Sequence, residues 1–341
     1  MTGPRGMRQH SIVIIGCGSI GERHLRCFQQ TGRAKVSACD ANPALLRRMA
    51  EAYGVPTFAD WESAAASETA ETAVVCTPAP SHIPIAVRAL DAGKHVLIEK
   101  PLSTSMSGVG ALLRARDRAG LQAAVAYTHR SIPFLKEAAA FVLAGKIGPV
   151  REAWVATGQP FHLFRPAYAK TYFRSRATGG GALQDALTHA VNWMESVVGP
   201  VDSVICDCAH LVLPDVEVED TVHVSARHGQ AMVSYTLNQF QAPNENTIQL
   251  NAAGASVKIE YQNQRWGFFR EGDPDWTWHK SPAPNRDTYY IAQANAFLDQ
   301  IEGQPSHLCT LEEGIATLRF NLAAMAAAET GARTRCADFH E

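Results

Sequence analysis

The second half of the chain contains an acidic and a basic residue at a spacing that suits proton transfer. Asp185 and His189 lie four positions apart, shortly after the glycines at positions 179–181. Residues four apart share one face of an α-helix, which would place a carboxylate beside an imidazole. Imidazole is the side chain best suited to moving a proton near neutral pH, and a neighbouring carboxylate can orient it. The spacing therefore predicts an acid–base pair.

Two other interpretations of this pair stay open. Pairs at this spacing are also common on helix surfaces, where they form only a side-chain contact. The two residues could instead be metal ligands, but His210, His223 and His228 fall on separate predicted strands or turns and supply no convincing third ligand. We expect no metal site.

A lysine follows a short apolar run in the first half of the chain. Lys100 stands between Glu99 and Pro101, at the end of a predicted strand that starts at His95. A lysine in this position can polarise a substrate oxygen once it is partly desolvated, because burial disfavours its charged form. An isolated lysine is usually a solvated surface group, so the prediction depends on the other motifs.

A glycine-rich turn follows the first apolar run, residues 12–15. Gly16, Gly18 and Gly21 form the pattern GxGxxG between a predicted strand and a predicted helix. The first glycine permits a tight turn, the second lets a pyrophosphate approach the backbone, and the third lets the helix pack close to the strand. We expect Gly16, Gly18, Ser19, Ile20 and Gly21 to bind a dinucleotide.

An aspartate ends the second predicted strand. Asp40 lies about 20 residues beyond the turn, where a carboxylate can accept hydrogen bonds from the adenosine ribose hydroxyls. A 2′-phosphate would meet like charge there, and Arg47 and Arg48 fall in the next predicted helix rather than beside Asp40. The residue therefore favours NAD over NADP, although an aspartate at a strand end is often only a turn former.

The order of predicted elements indicates two domains. Strands at residues 12–15, 35–39, 73–77, 95–99 and 122–127 alternate with helices, which is typical of a parallel α/β sheet. After position 201 the β-rich segments show alternation typical of an antiparallel sheet. We predict a Rossmann dinucleotide-binding domain at 1–127 and an α+β domain with a large, mostly antiparallel open sheet at 128–341. The C-terminal helices are expected to pack back on the first domain.

Composition excludes several classes of partner. Of the 341 residues, 31 are Lys or Arg and 33 are Asp or Glu, so no basic surface for nucleic acid is expected. The eight cysteines form no CxxC pair, which disfavours disulfide staples and structural zinc. No run approaches the roughly 18 apolar residues of a membrane span, and the apolar run after Arg8 is too short for a signal peptide. We expect a cytoplasmic protein, which starts at Met1 or Met7.

Taken in order, these motifs resemble the glucose–fructose oxidoreductase / inositol dehydrogenase / rhizopine-catabolism (Gfo/Idh/MocA) family, over nearly the whole chain. The resemblance implies an NAD-dependent dehydrogenase acting on a secondary alcohol of a sugar, polyol or sugar derivative, in which Lys100, Asp185 and His189 meet over the nicotinamide. It also implies dimers or tetramers formed through the C-terminal sheet. Further cofactor contacts are expected from residues at the ends of two strands, namely Thr77, Pro78, His82 and Glu99.

Within this resemblance, His189 is expected to take the hydroxyl proton, Lys100 to stabilise the substrate oxygen and Asp185 to orient them. The substrate is expected to contact residues after the last Rossmann strand and in the segment before the glycine-rich helix, namely Tyr127, His129, Arg165, Tyr168, Tyr172 and Arg174.

Two other functions remain open. A relative with tightly bound NAD could use oxidation only transiently, for glycoside cleavage or isomerisation. A regulator could have kept the fold to sense NAD or a sugar without turnover. The complete set of Lys100, Asp185 and His189 argues against the regulator, because sensing does not need all three.

Overall fold

The computed structural model describes residues 8–66, 70–282 and 285–341, so the expectation about the start codon lies outside the described residues. The chain divides into two compact units. The first comprises the described residues of 1–102, Ser107–Ala126 and Asn285–Leu311, and the second comprises Ser103–Met106, those of 127–284, and Glu312–Glu341.

The first unit alternates strands with helices. Its elements up to residue 126 are β1 (His10–Ile15), α1 (Ser19–Gln30), β2 (Ala34–Cys39), α2 (Pro43–Tyr53), β3 (Thr57–Phe58), α3 (Trp61–Ala66), β4 (Thr72–Val75), α4 (His82–Asp91), β5 (His95–Ile98), α5 (Val109–Ala119) and β6 (Ala123–Val125).

The second unit begins with α6 (Pro133–Leu143) and contains the larger sheet. Its elements up to residue 284 continue with β7 (Glu152–Gly158), α7 (Phe161–Phe164), α8 (Thr188–Val198), β8 (Ser203–Ala209), β9 (Thr221–His228), β10 (Ala231–Asn238), β11 (Glu245–Ala252), β12 (Ala255–Glu260), β13 (Arg265–Arg270) and β14 (Thr277–Lys280). The chain ends with α9 (Asp287–Ile301) and β15 (Cys309–Thr310) in the first unit, then α10 (Leu311–Thr330) and β16 (Thr334–Arg335).

The described strands of the first unit form one sheet in the order β15-β6-β5-β4-β1-β2-β3. All neighbouring pairs are parallel except β15 with β6. The central strand β4 is buried along its whole length, and its neighbours β1 and β5 are mostly apolar and buried, as expected when helices cover both faces. The strand order reverses between β1 and β4, and ligands of such sheets bind at the carboxyl ends beside that point.

The described strands of the second unit form a sheet in the order β14-β13-β12-β11-β7-β10-β9-β8-β16. Only β7 and β10 pair in parallel among them. Buried and more exposed residues alternate along β9 and β10, as in a sheet with one covered face. The predicted fold class is confirmed: a Rossmann sheet and a large, mostly antiparallel one.

The element boundaries differ from the predicted ones in two respects. Several elements were not predicted. Strands β7, β13 and β14 lack a clear alternation of apolar and polar residues, and β3, β15, β16, α3 and α7 are only two to six residues long. The single α-helix expected to carry both Asp185 and His189 is instead a wider π-helical turn, Ala182–Leu187, followed by α8. No described helix combines the length and apolarity needed to cross a bilayer.

Candidate active site

The glycine-rich turn joins β1 to α1 at the point where the sheet order reverses. Gly16 has φ +94°, and a Cβ there would lie 2.8 Å from the backbone carbonyl of Cys76 at the end of β4. A Cβ on Gly21 would collide with the carbonyl oxygen of Gly16. These two glycines are therefore required by the close packing of β1, α1 and β4.

Gly18 differs from the other two glycines of the turn. It is exposed at the start of α1, and apart from Gly18 itself and its neighbours along the chain no described atom lies within 4 Å of the position that a Cβ would occupy. The backbone amides of the first helical turn are therefore accessible to an anion, and the positive end of the helix dipole favours one. The space over Gly18 fits a dinucleotide pyrophosphate.

Asp40 follows β2 and forms a hydrogen bond to the backbone of the glycine-rich turn. One carboxylate oxygen accepts a hydrogen bond from the backbone N–H of Cys17 at 2.7 Å, and the other accepts one from that of Asn42 at 2.8 Å. Each carboxylate oxygen can accept further bonds, so the side chain fits the predicted ribose contact. Arg48 is directed elsewhere, because its guanidinium lies 2.7 Å from the carboxylate of Glu22.

His82 connects the segments that follow β4 and β5. The ring is 1% exposed, with one nitrogen 2.7 Å from the carbonyl oxygen of Thr77 and the other 2.9 Å from that of Pro101. Burial lowers the pKa of His82, against the effect of these hydrogen bonds. Both ring nitrogens face backbone carbonyls within this unit. His82 therefore links the two segments that follow β4 and β5, and the cofactor contact expected for it stays a prediction.

Lys100 is half-buried directly after β5. Its backbone N–H donates to one carboxylate oxygen of Glu99 at 3.1 Å, and the other oxygen lies 2.7 Å from Nε2 of His24 in α1. Glu99 and His24 are both almost completely buried. The segment that carries Lys100 is thus anchored to the helix that follows the glycine-rich turn.

A glutamate fixes the start of the second unit's glycine-rich helix. One carboxylate oxygen of Glu219 accepts from the backbone N–H of Leu183 at 3.0 Å, and the other accepts from Arg176 at 2.9 Å. Gly181 has φ +96°, and a Cβ there would collide with the Glu219 carboxylate. The glycine is required because the carboxylate occupies the space of a side chain.

Asp185 lies within the π-helical turn and is half-buried. Its carboxylate accepts a hydrogen bond from the hydroxyl of Tyr172 at 2.8 Å. Tyr172 belongs to the segment that was expected to line the substrate site. The step from Asp185 to His189 therefore runs through the end of this wider turn and the start of α8, and residues four apart in such a turn still lie near one face.

His189 is half-buried at the start of α8 and held between two rings. His129 stacks on its face, with ring centroids 4.7 Å apart and planes 25° apart, and Tyr127 meets it edge-on at 5.9 Å. The hydroxyl of Tyr261 lies 3.1 Å from Nδ1 of His129. His189 is therefore packed in a cluster of polar rings, which distinguishes it from a histidine on a helix surface.

A buried polar face of α8 sets the orientation of this helix. The hydroxyl of Thr188 lies 2.9 Å from that of Tyr127, and the side-chain oxygen of Asn192 accepts from Arg130 at 2.8 Å. Arg130 also contacts both carboxylate oxygens of Glu313 in α10, at 2.8 and 2.9 Å. Buried hydrogen-bonded networks specify a single packing arrangement. This one fixes the helix that carries His189.

The last member of this face is a buried carboxyl. Glu195 accepts from the hydroxyl of Thr317 at 2.5 Å and is 9% exposed. Burial is the largest influence on this group, and it raises the pKa of Glu195 to about 7. The carboxyl therefore stays protonated in the folded protein at pH values where it ionises in the unfolded chain.

We expect a Glu195→Gln variant to remove a pH dependence of stability. Between pH 4.5 and 7 the folded state holds a proton that the unfolded state lacks, so this group lowers the free energy of unfolding by about 3 kcal/mol as pH rises through that range. The variant should gain stability relative to the wild type between pH 5 and 8 in urea unfolding. Glu51→Gln, which removes an exposed carboxylate, is the control. If the free energy of unfolding depends on pH in the same way in the wild type and in Glu195→Gln, the prediction is wrong.

The predicted substrate residues occupy different environments. Tyr168 is 7% exposed, packs with Phe161 and Phe173, and donates its hydroxyl to the carbonyl of Pro214 at 3.0 Å. The ring is enclosed by this cluster, and the substrate contact expected for Tyr168 stays a prediction. Tyr127 is likewise 1% exposed and packs edge-on against His189, and its predicted substrate contact also stays a prediction.

The remaining predicted substrate residues are more accessible. Tyr172 and Arg174 are exposed, and Arg165 and His129 are half-buried. Among the described residues no group of three or more His, Cys, Asp or Glu side chains is arranged to hold a metal ion.

Three supporting residues were missed in the sequence. Tyr261 follows β12, and no sequence motif around it indicates a role near His189. Glu219 stands in the acidic run 217–220, which resembles a solvated loop. His24 lies three residues after the last glycine of the turn, and this position in the first helix was the one feature of the sequence that could have pointed to it.

The comparisons with known proteins identify both halves of the chain. Residues 10–127 match the NAD-binding Rossmann-fold domain of the Gfo/Idh/MocA oxidoreductase family, and residues 135–260 match that family's C-terminal domain. An inositol 2-dehydrogenase of Rhizobium meliloti is 25% identical over 94% of this chain and 95% of its own length.

Other similar proteins share this architecture. A levoglucosan dehydrogenase of Pseudarthrobacter phenanthrenivorans is 26% identical over 58% of this chain, a match that spans only 53% of that relative. The structure of a levoglucosan dehydrogenase in complex with NADH and levoglucosan superimposes with a TM-score of 0.87 at 20% identity, covering 96% of this chain and 100% of the other. The chain belongs to the Gfo/Idh/MocA family of oxidoreductases, and its first unit contains that family's NAD-binding Rossmann fold.

Proposed function

We propose that this protein is an NAD-dependent dehydrogenase that oxidises a secondary alcohol of a sugar, polyol or sugar derivative. The observation that carries the proposal is the packing of His189 between His129 and Tyr127, on a helix fixed by buried hydrogen bonds. A histidine in a surface helix pair would not need such support. The names of the inositol and levoglucosan dehydrogenases among the relatives indicate the substrate class.

In the proposed reaction His189 accepts the proton of the substrate hydroxyl as general base. Lys100 donates a hydrogen bond to the same oxygen and stabilises its developing negative charge. Asp185, which Tyr172 contacts, orients the reacting groups. The bound NAD would supply the acceptor for the hydride of the carbinol carbon, so that loss of this hydride and of the hydroxyl proton converts the alcohol to a carbonyl compound.

Several residues of the first unit would hold NAD. The pyrophosphate would be bound by backbone amides of the glycine-rich turn, namely those of Gly16, Gly18, Ser19, Ile20 and Gly21. Asp40 would bind the adenosine ribose. Thr77 and Pro78 would lie along the cofactor after β4. His82 would support this segment and the one after β5 through the carbonyls of Thr77 and Pro101.

We expect an Asp40→Asn variant to bind NAD about 10-fold more weakly and to discriminate less against NADP. The carboxylate accepts charged hydrogen bonds from the ribose hydroxyls and repels a 2′-phosphate. The neutral amide forms weaker hydrogen bonds and does not repel the phosphate. Binding of both reduced cofactors can be measured by fluorescence titration. Asp117→Asn, an exposed change in α5, is the control. An unchanged ratio of the two dissociation constants would refute the role of Asp40.

The function itself is tested by following absorbance at 340 nm with NAD and a panel of inositols, anhydrosugars, aldoses and sugar acids. Formation of NADH with at least one member is the expected result. If dialysed protein retains NAD and consumes none while it converts a glycoside or isomerises a sugar, the transient-oxidation alternative is correct. Binding without any conversion would favour a sensing protein.

We further propose that the protein forms a homodimer or homotetramer through the outer face of the larger sheet. The strand register places Ile205 of β8, Met232 of β10 and Trp154 of β7 on one face. Ile205 is 42% and Met232 47% exposed. Light scattering should give at least twice the 36.9 kDa chain mass, and Ile205→Asp combined with Met232→Asp should lower it. A monomeric wild type would contradict this proposal.

The cysteines support a cytoplasmic location, which we also propose. All eight are free thiols and seven are buried. Such a set suits a reducing compartment, since no pair is used as a disulfide. Fractionation of the producing cells should recover the protein with cytoplasmic markers, and recovery with periplasmic or secreted markers would contradict the proposal.

A further inference from the structure

The segment that carries Lys100 is anchored on both sides by buried histidines. On one side the carboxylate of Glu99 joins Nε2 of His24 at 2.7 Å to the backbone N–H of Lys100 at 3.1 Å. On the other side the carbonyl of Pro101 lies 2.9 Å from His82. The backbone of Glu99 also donates to the carbonyl of Val75 at 2.9 Å, which fixes it to β4.

His24 is itself held in place. Its ring is 1% exposed and meets Tyr290 of α9 edge-on at a centroid distance of 5.4 Å, with Phe28 at 6.3 Å. A histidine enclosed in this way has little rotational freedom, so it can fix the position of the carboxylate that it binds. The Glu99 carboxylate in turn fixes the backbone of the residue after it.

We propose that His24 and Glu99 are positioning residues for Lys100, an inference that rests on the proposed function. Neither needs to touch the substrate. Their joint action is to hold the backbone at Lys100, so that the ammonium group reaches the substrate oxygen in a productive position. Small displacements of such a group are costly, because a shift of about 1 Å in a reacting group can reduce the rate about 100-fold.

This assignment differs from the direct cofactor contact that the sequence suggested for Glu99. A carboxylate whose main role is to bind NAD should, when replaced, weaken NAD binding. A carboxylate that positions Lys100 should slow hydride transfer while leaving NAD binding nearly unchanged. The two roles therefore differ in the measured quantity that they affect.

The test compares His24→Leu, His24→Gln and Glu99→Gln with His10→Leu in the complete protein. His10 is a matched control, because it is fully buried and contacts the carboxylates of Glu71 and Glu302 at the opposite end of the sheet. We expect His24→Leu and Glu99→Gln to slow single-turnover hydride transfer 10- to 100-fold with NAD affinity changed less than threefold. His24→Gln keeps a donor near Glu99 and should recover most of the rate.

A second readout requires no substrate. Hydrogen exchange of the peptide that spans Lys100 should accelerate at least 10-fold in His24→Leu and remain unchanged in His10→Leu. This measurement also separates a local effect from general loss of stability, because both leucine variants should lower the melting temperature.

Several results would overturn the inference. Equal hydride-transfer rates in His24→Leu and His10→Leu would do so, as would weaker NAD binding by 10-fold or more in Glu99→Gln at an unchanged rate. A Lys100→Met variant measured in parallel separates the proposed role of Lys100 itself from the proposed positioning role of His24 and Glu99. If it retains the wild-type rate, the proposed role of Lys100 fails together with this inference. If it is slow while His24→Leu and Glu99→Gln are not, only the inference fails.

Discussion

Replacement of Lys100 by methionine is expected to lower kcat by about 100- to 1000-fold, the loss typical of removing one donor from a developing oxyanion. Methionine keeps the apolar stem of the side chain and removes the ammonium group. The dissociation constant for NAD should change less than threefold, because Lys100 acts on the substrate oxygen. Steady-state kinetics and cofactor titration of the same preparation provide both numbers.

A second lysine in the same unit provides the control. Lys94 is 3% exposed and donates to the carbonyl of Ala70 at 2.6 Å, before β5 rather than after it. Lys94→Met should lower the melting temperature but not kcat. If Lys100→Met loses only NAD affinity, or if both variants lose kcat equally, the role proposed for Lys100 is wrong.

Replacement of His189 by asparagine should lower kcat by about 100- to 10,000-fold, the range associated with loss of a general base. In the direction of alcohol oxidation the base must be unprotonated, so wild-type activity falls as pH is lowered through its ionisation. The variant should lose this acidic limb of the pH–rate profile. Residual activity should rise with hydroxide concentration, because water must then accept the proton.

The control for this variant is His223→Asn, which changes an exposed histidine on β9. It should leave both kcat and the pH profile unchanged. A His189→Asn enzyme with a wild-type acidic limb would show that another group is the base. His129, stacked on His189, would then be the first residue to examine.

The Rossmann unit was accessible from the sequence because its signals are local. A buried parallel strand is a continuous apolar run, and the GxGxxG turn must follow such a strand directly. Asp40 was predictable for the same reason, since its position is fixed by the length of one strand–helix–strand unit. The hydrogen bond between its carboxylate and Cys17 agrees with that reasoning.

The surroundings of His189 were less accessible because they depend on contacts between distant parts of the chain. The segments that hold its ring come from residues 127–129 and 261, and the glutamate that starts its helix is residue 219. The π-helical turn was hidden as well, because the sequence 182–187 consists mostly of ordinary helix formers and carries no local signal for a wider turn.

The aromatic segment before the glycine-rich helix was also hard to interpret from the sequence. Composition alone presented Tyr168 and Tyr172 as equivalent candidates for stacking on a sugar. The structure separates them, because Tyr168 is packed in an apolar cluster and Tyr172 is exposed with its hydroxyl on Asp185. Side-chain direction in an irregular segment depends on the packing of each turn, which no periodicity reveals.

Transfer of deuterium from the substrate to the cofactor shows directly whether the protein oxidises an alcohol with NAD. The alcohol that gives the highest rate in the substrate panel is labelled with deuterium at the carbinol carbon and incubated with NAD and the enzyme. The account predicts that the deuterium appears at C4 of the nicotinamide ring, detected by NMR of the reduced cofactor, with a ketone or lactone formed in equal amount. Reduced cofactor without the label, or conversion of the sugar without net reduction of NAD, would contradict it.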